Sequence, residues 1–444
     1  MLLVLAGAAI FCLYFFGLTR TGLLSADEPR YASIGRDMAR SGDWITPRLW
    51  GQPWFEKPAL LYWMTASAYV LHLPDDWAPR LPVALASAGF LLFFWIVLRR
   101  EYDERAAWYA TLILATSAGW IAFSHIAVTD IPLSVCLGVS MLLVLTGRNP
   151  IVAGVFLGLA VLAKGLVPFV LFLPAMWYLR PRLRQAALIV AVSLIVAAPW
   201  YALVTLRNGM PFIDEFFIKH HFARFATGSL QHVRPAWFFV PVLLGSVFPW
   251  TPLVWTLFRR DLYAGRREWF LLAWLGFGFV FFSASCNKLP SYLLPLLPPL
   301  AALLALGLAR VKRAPWMLSI TGASLWLIPV IAGILPQALQ TGLSRTPLRA
   351  SYGFLIPAAL LAAAIWRLES HGHRDRVMTV IGILIVASVV GIVWNTYPVL
   401  DRTVSARMYW RTHPNPCVDN QNRSWRYGLN YYAEKLVRDC NHLP

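Results

Sequence analysis

The sequence predicts an all-α polytopic membrane protein, and three observations carry that prediction. Hydrophobic residues fill 58% of the 444 positions and charged residues only 14%, against roughly 25% charged in soluble domains. Apolar runs long enough to cross a bilayer, about 17–25 residues each, recur along most of the chain, and mean hydropathy is +0.58. The basic residues sit between those runs. The net charge of +18 therefore reads as a set of orientation signals, not as a nucleic-acid surface.

Taken in order, the expected spans are 1–18, 81–98, 106–123, 129–147, 150–163, 165–180, 186–206, 237–258, 269–285, 289–309, 315–335, 354–366 and 377–395. That is about thirteen helices, three of them (150–163, 165–180 and 354–366) short for a bilayer. With a cytoplasmic N-terminus, the inside loops are Arg99–Arg105, Gly147–Pro150, Arg180–Gln185, Arg259–Glu268, Arg310–Pro315 and Arg367–Arg376. All are short, and together they hold 17 of the 39 Lys and Arg, as the positive-inside rule asks. The outside segments are then 19–80, 207–236, 336–353 and the tail from 396. No Lys or Arg precedes the first apolar run, and Leu24 suits the −3 site of a cleavage after Ala26 poorly. That run reads as a retained anchor, not a signal peptide. The expected division is a transmembrane domain over 1–395 and a short periplasmic tail over 396–444.

The first outside loop, 19–80, is dense in charge. Asp27 is placed as a helix N-cap, with Pro29 in the first turn. Beyond it, Tyr31, Ile34 and Met38 share one face and Arg30, Asp37 and Arg40 another. This predicts an amphipathic helix in the interface plane. A second helix is expected over Pro58–Leu71, with Leu60, Leu61, Trp63 and Met64 embedded. Trp44, Trp50, Trp54 and Trp63 suit headgroup depth. Cys12, Cys136 and Cys286 read as packing residues. Cys417 and Cys440 lie in the polar tail, where a periplasmic location permits a disulfide.

Other ionisable residues fall on the same expected face: Asp130 after Ser124-His125, Lys164 between two spans, His220, His221 and Arg224 in the 207–236 loop, and Lys288 followed by Tyr292. Each alone has a bland reading as a cap, a snorkelling cation or a salt bridge. Six segments delivering acids and bases to one face make a cluster, and ionisable groups at membrane depth mark function. Cations suit a lipid-linked phosphate and its leaving oxygen. A carboxylate suits a general base or oxocarbenium stabilisation. Asp27 and Asp130 supply carboxylates to that face, and Glu28, Arg30, Tyr31, Glu56, Lys57, Lys164, His221, Arg224, Lys288 and Tyr292 its other polar groups. A divalent metal held by Glu56 with His220 or His221 competes, but the ligand count is too low to require one. A transporter or flippase would hold its polar groups near the midplane at repeat interfaces, and no repeat is visible.

The string Asp27-Glu28-Pro29-Arg30-Tyr31-Ala32, then Gly42-Asp43-Trp44, then Phe55-Glu56-Lys57-Pro58 with Tyr62-Trp63, resembles the aminoarabinose transferases that modify lipid A. Those belong to the wider protein-O-mannosyltransferase-like superfamily of the GT-C architecture. Ala163-Lys164-Gly165, His221-Phe222-Ala223-Arg224-Phe225 and Lys288-Leu289-Pro290-Ser291-Tyr292 extend the resemblance over about 1–310. The resemblance implies a polyprenyl-phosphate sugar donor used on the periplasmic side of a bacterial inner membrane. It implies Asp27 at the reaction centre, Lys57 and Arg224 on the lipid phosphate, and support from Arg30, Tyr31, Glu56 and Asp130. On that resemblance Asp27 and Asp130 are the candidate catalytic acids, and Glu28, Arg30, Tyr31, Glu56, Lys57, Lys164, His221, Arg224, Lys288 and Tyr292 the candidate binding residues. The acceptor expected is lipid A or another glycolipid, with protein O-mannosylation as the alternative within the class. No cofactor is required on this reading. Relatives of this kind carry a larger C-terminal periplasmic domain, whereas only about 49 residues follow the last expected span here.

Overall fold

The computed structural model describes residues 2–223, 234–347, 353, 355–413, 416–418 and 422–440. The first half runs α1 (Leu2–Tyr14), α2 (Asp27–Ser41), a two-residue antiparallel hairpin (Arg48–Leu49 with Gln52–Pro53), α3 (Leu60–Val70), α4 (Leu81–Glu101), α5 (Glu104–Ala115), α6 (Ala118–Ser124), α7 (Asp130–Thr146), α8 (Pro150–Lys164), α9 (Val167–Leu171), α10 (Leu173–Tyr178), α11 (Leu183–Asn208) and α12 (Met210–Ile213). Among the described residues, five helices are long and apolar enough to cross a membrane, or eight if each bent pair counts as one span.

The interior is built around α7 and the helix Leu297–Arg310, both enclosed along most of their length. Helix α8 packs on α7 and on α11. Its close approach to α11 needs small residues four apart. A Cβ on Gly154 would meet the Ile189 carbonyl at 2.7 Å, and one on Gly158 the Ser193 carbonyl at 2.7 Å. This is the small-xxx-small contact by which membrane helices pack without a hydrophobic drive between them.

Several expected spans are broken. The run 106–123 is α5 and α6, bent by 59°, and the amide of Ala118 after the break donates to the Phe248 carbonyl at 2.9 Å. The run 165–180 is two short helices, α9 and α10, each with a proline in its first turn. The run 237–258 folds back on itself, with 114° between Ala236–Ser246 and Thr251–Phe258. Prolines that remove backbone donors explain the interruptions in 165–180 and 237–258; the run 106–123 contains none.

Helix α2 departs from the interfacial reading. Tyr31, Ile34 and Met38 are buried as expected, but so are Glu28, Arg30, Ser33 and Arg36. One side packs on α3, where a Cβ on Gly35 would strike Thr65 at 2.6 Å. The other side is covered by the C-terminal helix Arg423–Ala433. The tail grips the first loop through buried polar contacts. Asp401 accepts from the Gly22 amide at 2.7 Å, Arg407 donates to Asp76 at 2.7 Å, and Arg36 donates to the Tyr431 carbonyl at 2.7 Å. Within the tail, Cys417 and Cys440 form a disulfide.

Candidate active site

The site begins at the first turn of α2. Ser25 takes a left-handed conformation, φ 62°, and its hydroxyl accepts from the Asp27 amide at 3.3 Å. Ala26 occupies the N-cap position and makes no side-chain cap. Asp27 is therefore the first helical residue and not the cap, which corrects the sequence reading. Its carboxylate is freed from capping and 47% exposed. It takes a hydrogen bond from Arg30 Nη2 at 2.5 Å.

Glu28 points the other way, into the protein, and is fully buried. Its oxygens accept from Arg80 Nε and Nη2 at 2.7 and 2.8 Å, from the Leu24 amide at 2.7 Å and from the Ala127 amide at 2.9 Å. Arg80 in turn donates to the carbonyls of Leu18, Thr21 and Gly22. A buried pair this fully satisfied meets the condition under which burying two charges is tolerated. Its geometric effect is to tie the start of α2 to the loop just before α7. Among the sequence candidates, then, Glu28 lies in an interior ion pair, away from the exposed Asp27 carboxylate.

Arg30 links two acids. The same Nη2 that holds Asp27 reaches Glu56 Oε2 at 2.8 Å, and Glu56 Oε1 accepts from Lys57 Nζ at 3.1 Å. The guanidinium is 4% exposed and lies over the rings of Tyr31, Trp54 and Tyr427 at 5.1, 5.3 and 5.4 Å. Burial opposes its charge, but Tyr31, Glu56 and Asp27 outweigh that and raise its pKa above the ordinary value. Burial likewise pushes the Tyr31 and Tyr62 phenols well up, with Asp27 and Glu56 adding to the effect. Both phenols are thus neutral. Their rings meet edge-on at 5.9 Å beneath the acids.

A second cluster sits at the junction of α7 and α8. Lys164 Nζ donates to Asp130 Oδ1 at 2.5 Å and lies 4.6 Å from the centre of the Tyr292 ring. Two links bring this cluster toward the first. Glu28 holds Ala127, three residues before Asp130, and Phe55 packs in one apolar cluster with Val161 and Leu162, just before Lys164. Lys288 is buried and donates to the carbonyls of Ser285 and Arg234. The side chains of His220 and His221, and all of Arg224, lie outside the described residues, and with them the remaining metal ligands. Among the described residues no group of three His, Cys, Asp or Glu is placed to hold a metal.

Sequence reasoning missed three contributors. Arg80 ends the loop expected to lie outside, directly before an apolar span, against the positive-inside pattern, and that anomaly was the available signal. Trp54 and Tyr427 form walls of the Arg30 pocket. Tyr427 belongs to a tail helix whose apolar and polar residues separate at a helical period, the mark of a helix with something to cover.

One open carboxylate, a paired acid and cations thus meet at the first turn of α2. The family model for dolichyl-phosphate-mannose-protein mannosyltransferases matches residues 1–226, just over half of the chain. The chain belongs to this family. The match includes α2, Glu56, Lys57, Asp130 and Lys164. The undecaprenyl phosphate-alpha-4-amino-4-deoxy-L-arabinose arabinosyl transferase 2 of Pseudomonas fluorescens is 33% identical over 322 residues, covering 68% of this chain and 54% of that relative. The corresponding transferase of Aeromonas salmonicida is 30% identical over 373 residues, covering 79% of this chain and 68% of that relative. The chain thus spans little more than half to two thirds of these curated relatives. The crystal structure of ArnT from Cupriavidus metallidurans bound to undecaprenyl phosphate superposes with a TM-score of 0.76 at 26% identity, over 98% of this chain and 85% of that one. The fold of this family member is accordingly the membrane-embedded GT-C architecture.

Proposed function

We propose that the protein is a glycosyltransferase of the bacterial inner membrane, working on the periplasmic side. It moves one sugar, of the 4-amino-4-deoxyarabinose type, from undecaprenyl phosphate to lipid A or a related glycolipid. The observation that carries this reading is the exposed Asp27 carboxylate held by buried Arg30 beside the Glu56–Lys57 pair. The names of the family's arabinosyl transferases support the choice of sugar and carrier.

In this reading the acceptor oxygen attacks the anomeric carbon while the bond to the carrier phosphate breaks, with inversion. Lys57 and Arg224 neutralise the leaving phosphate, as compact and planar cations do. A hydroxyl acceptor gives its proton to Asp27. A phosphate acceptor arrives already ionised, and Asp27 then orients groups and balances charge. Glu56 bridges Arg30 and Lys57, one on each carboxylate oxygen, and orients both. Asp130 and Lys164 form the second wall, with Tyr292 under the ammonium. The tail from 396 acts as a small lid on the catalytic domain.

The test is reconstitution of the full chain in vesicles with undecaprenyl-phosphate-linked aminoarabinose and lipid A. Gain of one sugar mass on lipid A supports the proposal. Transfer to a peptide hydroxyl instead would move the protein to the protein-mannosylating branch. No transfer to either, by folded protein, would overturn it.

A further inference from the structure

We infer that Tyr427, in the C-terminal helix, is a positioning residue for the reaction centre, acting through Arg30 on Asp27 and Glu56. The inference rests on the glycosyltransferase reading above and extends it to a segment outside the family match at 1–226.

The geometry turns on one nitrogen. Arg30 Nη2 holds Asp27 at 2.5 Å and Glu56 at 2.8 Å, so the position of that nitrogen sets the spacing of the two acids. An arginine side chain has several soft torsions, and something must hold the guanidinium in place. Beyond Nη2, which also donates to the Tyr31 hydroxyl at 3.4 Å, hydrogen bonds do little at Nε, which is buried with no hydrogen-bond partner among the described residues. Ring faces hold it instead. Tyr31 and Trp54 come from the first loop, and Tyr427 is the third wall, at 5.4 Å.

Tyr427 is itself fixed. It is 8% exposed, and its ring stacks on Trp50 at 5.5 Å and 19°. The order is therefore Trp50, Tyr427, Arg30 and the two acids. The attraction of a guanidinium for an aromatic face lies in the ring quadrupole, so the phenolic hydroxyl is dispensable and the ring is not.

The test compares full-length Tyr427→Phe and Tyr427→Leu, each also combined with Arg30→Lys. Turnover is measured with undecaprenyl-phosphate-linked aminoarabinose and lipid A, and melting in detergent is followed in parallel. Tyr427→Phe should keep near wild-type turnover. Tyr427→Leu should lower kcat roughly tenfold, with KM for the donor little changed, by the size of cation–π contributions. In the Arg30→Lys background the same leucine change should add little, because its effect runs through Arg30. Full turnover by Tyr427→Leu, or an equal loss in both backgrounds, would overturn the inference. If the wild type transfers nothing, the proposed function fails separately. The melting cycle then decides: additive shifts for positions 30 and 427 refute the coupling, and a non-additive pair supports it.

Discussion

Replacing Asp27 by Asn separates charge from structure at the centre of the site. The carboxylate makes no cap, since Ala26 holds that position, so no helix-start energy is at stake. What the substitution removes is the negative charge facing Arg30 at 2.5 Å. Arg30 is buried but Asp27 is 47% exposed, and an ion pair with one end in water contributes about 0–1 kcal/mol. The amide oxygen can still accept from Nη2, and Glu56 at 2.8 Å keeps the guanidinium paired. The stability cost is therefore at most about 1 kcal/mol, a shift in melting temperature of no more than about 2–4 °C. The chemical cost is of another order, since an amide takes no proton. With a hydroxyl acceptor, loss of a general base lowers the rate about 100-fold or more; with a phosphate acceptor the loss is electrostatic and smaller. The assay is sugar transfer to lipid A by purified protein, with melting recorded on the same samples. Near wild-type turnover by a normally folded Asp27→Asn variant would refute the role and move the centre to Asp130 or Glu56.

Three further outcomes follow from the same geometry. Glu28→Ala should destabilise the fold by about 3–5 kcal/mol, because it leaves the Arg80 charge buried without compensation; thermal unfolding in detergent measures it, and an unchanged melting temperature would contradict the assigned pairing. Gly35→Ala should cost about 1–3 kcal/mol by forcing α2 off α3, since the new methyl lies 2.6 Å from Thr65 and 3.2 Å from the Tyr62 carbonyl; the same unfolding assay checks it. His125, in the loop between α6 and α7, sits between the Leu13 carbonyl and the Tyr397 hydroxyl, and burial lowers its pKa to about 4. The unfolded chain thus binds more protons between pH 6.5 and 4, so stability is full above about 6.5 and falls by about 3 kcal/mol as pH drops to 4; melting against pH should show this slope, and His125→Gln should flatten it.

Much of the fold was legible because its signals are local. The uninterrupted apolar runs 81–98, 186–206 and 377–395 each fall within one continuous helix in the structure, and 269–285 overruns its helix by one residue. Helices α2 and α3 lie within a few residues of their expected places. The break at Thr116–Ser117 was not legible, since this apolar run has no proline to mark its bend, whereas Pro249 and Pro252 stood in the sequence at the break after Ser246. At the site, the juxtaposition of Asp27, Arg30, Glu56 and Lys57 follows the density of charge in one loop. The pairing of Lys164 with Asp130 depends on two helix ends meeting, which spacing alone does not encode. Asp27 was misplaced by one position because Ser25 and Glu28 satisfy the start of α2 from either side. The Ser-x-x-Glu pattern at Ser25–Glu28, a capping-box signature, pointed that way.

The grip of the tail on the first loop also has a meaning in time. Asp401 meets Gly22 across 379 residues of chain, and Arg36 meets Tyr431 across 395. A ribosome adds about 5–20 residues per second, so α2 waits roughly 20–80 s for the helix that covers it. During that interval Arg30 and the acids it holds lack their third aromatic wall, Tyr427. A nascent chain therefore carries Asp27, Arg30, Glu56 and Lys57 long before it carries the helix that closes over them, and the assembled loop waits for the last helix of the chain.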